Sequence, residues 1–324
     1  MTFAKHIRAG CHRWIIHGLM KIALPIPLLA MAANAWAQRP ATISVNVNAV
    51  SLLVTVHDRD GQIVKNLTPD DFTLLDDGIP QKIDYFSRES DLPLTVGLLV
   101  DTSRSQTGVL ERERRASYTF LDQVLREKDQ AFVVGFDDRV ETLQGLTSSR
   151  SELASALGRL RIPQHYATLI HSAIQESSEN VMRQQPGRKA FILLTDGVAY
   201  KDTTSIGTAI EYAQRADTIL YSIRFSDPIH VYRPFKAAIL AAASERGKQG
   251  LQRMAGETGG VSYEVKESQT IEVIYSQIED ALRNQYNIGY TPARPDADGM
   301  YHKIKLTTKD RHLTVITRDG YYSK

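Results

Sequence analysis

Two patterns of apolar and polar positions divide the chain. Residues 41–91 alternate apolar and polar side chains with a period of two, and the same alternation returns beyond Asn284. Such alternation is typical of strands that bury one face. From Leu94 to Asn284, short apolar runs instead alternate with amphipathic stretches of helical spacing. The pattern therefore predicts β-rich segments at both ends and an α/β region between them.

The middle region predicts a parallel sheet. Its apolar runs read LTVGLLV, AFVVGF, AFILLTD, TILYSIRF and GVSYEV, and the stretches between them, such as TIEVIYSQIEDALRN, place apolar residues on one helical face. Near-continuous apolar strands suit a sheet that is covered on both faces. We therefore expect a doubly wound, mostly parallel sheet flanked by helices, with ligands at the carboxyl ends of its strands. Residues 226–250 read as a long loop that is helical only over 235–244.

The two end segments are each too short to bury a core alone. The economical interpretation is one small β-rich domain formed from both, with the α/β domain inserted between them. Two separate flanking β-extensions are the alternative. The expected boundaries are a β-rich segment over 38–91, the α/β domain over 92–285 and C-terminal strands over 286–324, the last packing with 38–91.

The N-terminus has the layout of a secretory signal peptide over residues 1–37. Basic residues precede an apolar run, IALPIPLLAMAANAWA, that ends in a small-x-small cleavage signature at Ala35-Trp36-Ala37. An uncleaved anchor is the alternative, but the run contains two prolines and is shorter than the roughly 20 residues that a spanning helix needs. We therefore expect an exported protein, periplasmic or extracellular, with no stable transmembrane span after cleavage. Its only cysteine, Cys11, would leave with the signal.

Composition excludes some functions. The chain is 42% hydrophobic and 23% charged with a net charge of +2, which gives no reason to expect nucleic-acid binding. It contains no glycine-rich phosphate loop, no nucleophile elbow and no His-Glu-x-x-His motif, and its nine histidines show no metal-ligand spacing. The sequence therefore predicts that the protein is not an enzyme.

Candidate chemistry begins where the first apolar run ends. Asp101, Ser103 and Ser105 follow LTVGLLV at alternating positions, so their side chains can converge on one point. Asp196 ends a later run in ILLTDG, and Thr168 begins a helix near the same sheet edge. Carboxylates and hydroxyls offer only oxygen ligands, which suit Mg²⁺ or Mn²⁺ and tolerate Ca²⁺. Helix capping and ordinary turns are the alternative roles for these residues.

These motifs, in this order, resemble those of the von Willebrand factor A domain with its metal-ion-dependent adhesion site (MIDAS). The resemblance covers about 94–285. It implies that Ser103, Ser105 and Thr168 coordinate a divalent cation directly, while Asp101 and Asp196 act directly or through water. Mg²⁺ is the implied ion, with Mn²⁺ or Ca²⁺ as alternatives. One coordination position would receive an acidic residue of a protein partner, as in an adhesion-type binding module.

The whole chain also resembles a narrower group of exported bacterial proteins related to the von Willebrand factor A domain, common in acidobacteria. The segments that carry this are DFTLLDDGIPQKIDYF, GETGGVSYEV and QYNIGYTP. Two departures affect the site's rim: Arg104 stands where a glycine is usual, and Tyr166 and Ala167 stand where glycines precede the threonine. No ligand is replaced, but the bulk and charge would narrow the site or favour an acidic partner.

Two other functions stay open. A magnesium-dependent hydrolase could use Asp101 in LLVDTS, although such enzymes generally need a second carboxylate two residues on, where this chain has Ser103. Alternatively, the metal site only stabilises a scaffold.

Elsewhere, Asp76-Asp77-Gly78 is typical of a hairpin turn, and ERERRAS over 111–117 is typical of the solvated face of a helix.

Overall fold

The computed structural model describes residues 49–88, 92–163, 166–225, 234–293 and 299–323, without the side chains of 234–237. The predicted signal segment over 1–37 lies outside these residues. Across the described ranges, every helix is too short or too polar to cross a membrane.

Fourteen strands and six helices make up the described fold. The strands are β1 (Val50–His57), β2 (Phe72–Asp76), β3 (Ile79–Gln81), β4 (Tyr85–Arg88), β5 (Leu94–Asp101), β6 (Gln130–Phe136), β7 (Val140–Thr147), β8 (Arg188–Thr195), β9 (Ile219–Arg224), β10 (Ser262–Glu264), β11 (Tyr286–Tyr290), β12 (Tyr301–Thr308), β13 (Thr314–Ile316) and β14 (Gly320–Tyr322). The helices are α1 (Leu110–Val124), α2 (Arg150–Arg159), α3 (Ile170–Asn180), α4 (Ile206–Arg215), α5 (Pro234–Thr258) and α6 (Ile271–Arg283).

The central sheet has six strands in the order β10-β9-β8-β5-β6-β7. All neighbours are parallel except β7, which runs antiparallel to β6 at the edge. Every residue of β5 is buried, because helices cover both faces of the sheet. A Cβ on Gly97 would lie 2.5 Å from the ring of Phe132, so only glycine leaves room for that ring. The predicted doubly wound, mostly parallel α/β fold is confirmed.

Each face of the central sheet has its own core. Residues of α1, α2 and α6 pack with Leu98 and Val100 on one face. Residues of α3, α4 and α5 pack with Leu99 on the other. Successive residues of β5 thus point to opposite faces, and both faces are apolar. Helix α5 corrects one expectation, because helix continues to Thr258 rather than ending near 244.

The terminal segments form two further four-stranded sheets, β13-β1-β11-β4 and β14-β12-β2-β3. Each sheet mixes strands from both ends of the chain: β1 pairs antiparallel with β11, and β2 with β12. The two sheets share one core, in which Leu52, Phe72, Ile288 and Leu306 take part. The predicted β-rich region built from both end segments is therefore confirmed, and independent flanking extensions are excluded. The precise domain boundaries stay a prediction.

Candidate metal centre

Asp101 is the last residue of β5 and is fully buried. Its Oδ1 accepts a hydrogen bond from the Ser103 backbone N–H at 2.8 Å, and its Oδ2 accepts one from the Thr195 hydroxyl at 2.6 Å. Thr195 ends the neighbouring parallel strand β8. The carboxylate is thus held at the carboxyl edge of the sheet, where the sequence predicted a ligand site.

Ser103 and Ser105 lie in the turn that follows β5. Their Oγ atoms are 3.1 Å apart, with Ser103 buried and Ser105 exposed. Ser103 precedes a short 3₁₀ turn over Arg104–Gln106, but its hydroxyl does not cap that turn. The Ser103 hydroxyl therefore does not have the alternative role of a helix cap. It lies next to the Ser105 hydroxyl, beside Asp101.

Asp196 follows β8 directly, and its Oδ1 accepts a hydrogen bond from the Val198 N–H at 2.8 Å. The sharp turn depends on Gly197, which has a φ of +87° and would bring a Cβ within 2.8 Å of the Gly247 carbonyl oxygen on α5. Asp196 is close enough for its charge to act on Asp101. The two predicted carboxylates therefore belong to one site.

Thr168 is buried just before α3 and is bonded to the loop that carries Asp196. Its N–H donates to the Tyr200 carbonyl at 2.9 Å, and the Tyr200 N–H donates back to the Thr168 carbonyl at 3.1 Å. The N-cap residue of α3 is Leu169, so Thr168 does not cap that helix. Backbone hydrogen bonds thus hold Thr168 at the same sheet edge, and its hydroxyl does not cap α3.

Electrostatics favour a cation here. Burial and, after it, the negative charge of Asp196 raise the pKa of Asp101 to about 7, although hydrogen bonds from Ser103 and Thr195 act to lower it. Two carboxylates this close cannot both ionise cheaply unless a positive charge lies between them. With the serine and threonine hydroxyls, the donors are all oxygen atoms, so the residues present fit a hard divalent cation.

Sequence analysis missed residues that support this site. Thr195 donates to Asp101, and Thr102 donates through Oγ1 to Asp137 Oδ2 at 3.2 Å. Asp137 follows β6 and accepts the Leu169 N–H on its carbonyl at 3.0 Å. Its position at a strand's carboxyl end, in GFDD, is the same signal that identified Asp101. The rule for parallel sheets could therefore have found it.

Glu113 on α1 corrects an expectation. The run ERERRAS was predicted to be solvated, but Glu113 is only 1% exposed. Within the described part of the chain, neither of its carboxylate oxygens has a hydrogen-bond partner. Burial, and then the negative charge of Asp101, raise the pKa of Glu113 to about 8. A second buried acid therefore lies within electrostatic reach of the metal centre.

The rim of the site carries exposed aromatic and basic side chains. Arg104 donates a hydrogen bond to the Tyr166 hydroxyl, and its guanidinium carbon lies 4.8 Å from the centre of that ring. Tyr166 is 64% exposed, and Tyr200, next to Thr168, is 54% exposed. Two of the three residues that depart from the expected pattern, Arg104 and Tyr166, thus contact each other.

The family model of the von Willebrand factor type A domain matches residues 96–277 of this chain. A search of curated proteins gave no match.

Among solved structures, proximal thread matrix protein 1 from the mussel byssus is similar with a TM-score of 0.50 and 14% identity, over 64% of this chain and 51% of that one. A second structure of that matrix protein, with a zinc-occupied MIDAS motif, gives a TM-score of 0.49 and 15% identity, over 64% and 49%. BatB from Bacteroides thetaiotaomicron has a TM-score of 0.44 and 18% identity, over 59% of this chain and 99% of that one. The vWF domain of the type V pili tip protein Mfa5 from Porphyromonas gingivalis has a TM-score of 0.46 and 12% identity, over 59% and 95%.

At 14% identity and a TM-score of 0.50, the first of these structures shows a common fold only. The family model, by contrast, covers more than half of the 324 residues, including Asp101, Thr168 and Asp196. The matched range also coincides with the central sheet and its helices. The chain therefore belongs to the von Willebrand factor type A domain family.

Proposed function

We propose that this protein is an exported binding module that holds a divalent cation at the carboxyl edge of its central sheet. Ser103, Ser105 and Thr168 would coordinate the ion directly, and Asp101 and Asp196 directly or through water. Mg²⁺ is the proposed ion, with Mn²⁺ or Ca²⁺ as alternatives. The observation that carries the proposal is the buried Asp101 within electrostatic reach of Asp196, with the hydroxyls of Ser103, Ser105 and Thr195 at the same sheet edge.

The bound ion would supply one coordination position for a carboxylate of a protein partner. The chain's own residues prepare for this: Thr195 and the Ser103 N–H hold both oxygens of Asp101, which fixes the carboxylate before any ion arrives. Arg104 at the rim offers a positive charge to an acidic partner.

Hydrolysis with Asp101 as nucleophile is the weaker alternative. The side chain has no exposed surface, and both of its oxygens already accept hydrogen bonds. A nucleophile must instead be able to approach the reacting atom of its substrate. The residue two positions on is Ser103, so the usual second carboxylate is missing there. These observations favour binding over catalysis.

The test is a calorimetric titration with Mg²⁺, combined with capture of partners from an extracellular or envelope fraction with Mg²⁺ or chelator. Asp101→Ala should weaken Mg²⁺ binding at least 100-fold and lose the partners that chelator removes. Asp122→Asn, a change on the exposed surface of α1, is the matched control and should leave both unchanged. Absence of Mg²⁺, Mn²⁺ and Ca²⁺ binding to the wild type would refute the proposal. If Asp101→Ala loses the ion but keeps its partner, the metal site is only structural.

The domain organisation is proposed along with the function. Residues 38–91 and 286–324 would form one β-rich domain, and 92–285 would be a self-contained insert. The separate cores of the central and terminal sheets support this division. A fragment spanning 92–285 should fold cooperatively and keep the Mg²⁺ affinity of the full chain. A fragment that stays unfolded would show that the terminal strands complete the α/β core.

A further inference from the structure

A second cluster of ligating side chains lies in the terminal sheets, away from the central strands. It consists of Asp76 at the end of β2, Asp77 in the following turn and His302 on β12. One ligand atom from each of the three lies within 4.8 Å of the others. Two ligand atoms that each lie about 2.0–2.2 Å from one ion can be at most about 4.4 Å apart. The cluster is therefore within a small side-chain adjustment of the spacing that a metal site needs.

Asp76 supplies the observation that points to a ligand. The residue is only 6% exposed. Its Oδ2 accepts hydrogen bonds from the hydroxyls of Tyr290 at 2.9 Å and Tyr321 at 3.1 Å. Its Oδ1 is also buried, yet among the described residues it has no hydrogen-bond partner. Burying an unpaired carboxylate oxygen is costly, so this atom calls for a positively charged or donating partner.

His302 presents a ring nitrogen to Asp77. Its Nδ1 lies 2.9 Å from Asp77 Oδ2, so Nδ1 is the nitrogen that could share an ion with that carboxylate. The ring stacks on Tyr321 at 5.1 Å, which fixes its orientation. The Lys303 N–H donates to Asp77 Oδ1 at 2.8 Å, so this carboxylate is also held in place. Neighbouring groups thus orient all three side chains, as outer-shell contacts do around metal ligands.

We propose that Asp76, Asp77 and His302 form a second metal site, specific for a first-row transition dication of the zinc class. The imidazole distinguishes it from the all-oxygen centre, because Mg²⁺ and Ca²⁺ prefer oxygen ligands whereas Zn²⁺ and Co²⁺ accept nitrogen. Two carboxylates balance the charge of the dication. Asp77 is half exposed, which leaves a route for the ion and a place for a water ligand.

The proposed ion would join the two ends of the chain. Asp76 and Asp77 come from the N-terminal segment and His302 from the C-terminal segment, 225 residues from Asp77. The tyrosines that orient Asp76 lie on β11 and β14, so residues from four strands meet at this point. The ion would cross-link the N-terminal and C-terminal segments and so stabilise the β region that they form together.

The test uses the tag-free full-length chain carrying Asp101→Ala. This change disables the proposed metal site of the central sheet, so the result does not depend on whether that site binds an ion. Co²⁺ is the probe, because its visible absorption reports nitrogen and oxygen ligation directly. We expect one Co²⁺ per chain, displaced by Zn²⁺ but not by Mg²⁺. His302→Gln should weaken Co²⁺ binding at least tenfold. His312→Gln, a change of an exposed histidine in the same region, should leave it unchanged.

A second variant guards against misfolding. Asp77→Asn changes a half-exposed side chain, can still accept the Lys303 N–H and should also lose Co²⁺ affinity at least tenfold. Zn²⁺ should raise the melting temperature of the Asp101→Ala protein and leave that of the Asp101→Ala/Asp77→Asn protein unchanged. If Asp101→Ala takes up no Co²⁺, or if both ligand variants bind it like their parent, the cluster is a hydrogen-bonded turn and the proposal is wrong.

Discussion

The central and terminal sheets each bury an aspartate at the last position of a strand, and they treat it differently. Asp101 ends β5 in a parallel sheet, where loops distant in sequence bring hydroxyls and a second carboxylate to the same edge. Asp76 ends β2 in an antiparallel sheet, where cross-strand neighbours bring two tyrosine hydroxyls and a histidine. The strand arrangement thus decides the donor set, and the donor set decides which cation suits each site.

The comparison also separates two kinds of buried acid. Burial and, after it, the nearby charge of Asp196 oppose ionisation of Asp101 and raise its pKa to about 7. Asp76 instead accepts two hydroxyl donors on one oxygen. Replacing Asp101 should therefore increase the free energy of unfolding of the metal-free protein, whereas replacing Asp76 should decrease it.

Asp76→Ala should lower the free energy of unfolding by about 3 kcal/mol, because the buried hydroxyls of Tyr290 and Tyr321 lose their acceptor. Urea denaturation in chelator measures this. The control is the triple variant Asp76→Ala/Tyr290→Phe/Tyr321→Phe, which removes the stranded hydroxyls and should regain part of the loss. Equal stability of Asp76→Ala and wild type would contradict the role assigned to this carboxylate.

Asp101→Asn should stabilise the metal-free protein by about 2 kcal/mol at pH 8, since it removes a buried charge beside Asp196. The folded-state pKa of Asp101 is raised from 3.8 to about 7, so its contribution to stability is present below pH 3.8 and is lost as pH rises through 7. The gain from asparagine should therefore shrink at pH 5. Saturating Mg²⁺ should reverse the order of the two proteins.

Glu113→Gln should raise the stability of the metal-free protein by about 1 kcal/mol at pH 9. Its pKa is raised from 4.5 to about 8, so the native state keeps a proton that the unfolded chain releases between these values. Stability should consequently fall as pH rises from 4.5 through 8 in the wild type, and fall less in the variant. Denaturation at several pH values gives both slopes, and parallel slopes would rule out this assignment.

Arg104→Ala should have the smallest effect, below about 0.5 kcal/mol on stability, because its contact with Tyr166 is exposed. Mg²⁺ affinity should change less than twofold, since the side chain contacts no candidate ligand. Denaturation and calorimetry on this variant and on Tyr166→Phe provide the measurement. A tenfold change in Mg²⁺ affinity would place Arg104 inside the metal centre rather than at its rim.

The sequence predicts a candidate site residue only where the residues next to it in the chain indicate its role. Asp101 and Asp196 were identifiable because each follows an apolar strand, and parallel strands align their carboxyl ends. The hairpin turn predicted at Asp76-Asp77-Gly78 is present, with Asp76 as the last residue of β2 and a φ of +47° at Asp77. Nothing near them indicates His302, which reaches them only through the pairing of β2 with β12.

The sequence also does not predict which charged side chains are buried. Glu113 belongs to a run of alternating charges, and the rotation of α1 on the sheet decides which of them faces inward. Strand β7 went unpredicted because it lies at the sheet edge and alternates weakly between exposed and half-buried residues. Both cases are set by tertiary packing rather than by local preference.

The interleaving of β1 between β11 and β13 constrains the order in which the chain can fold. During synthesis, the first strand emerges long before either neighbour exists, while the central sheet has all its strands by residue 264. Residues 50–57 must therefore wait with an apolar face and open backbone groups exposed to water.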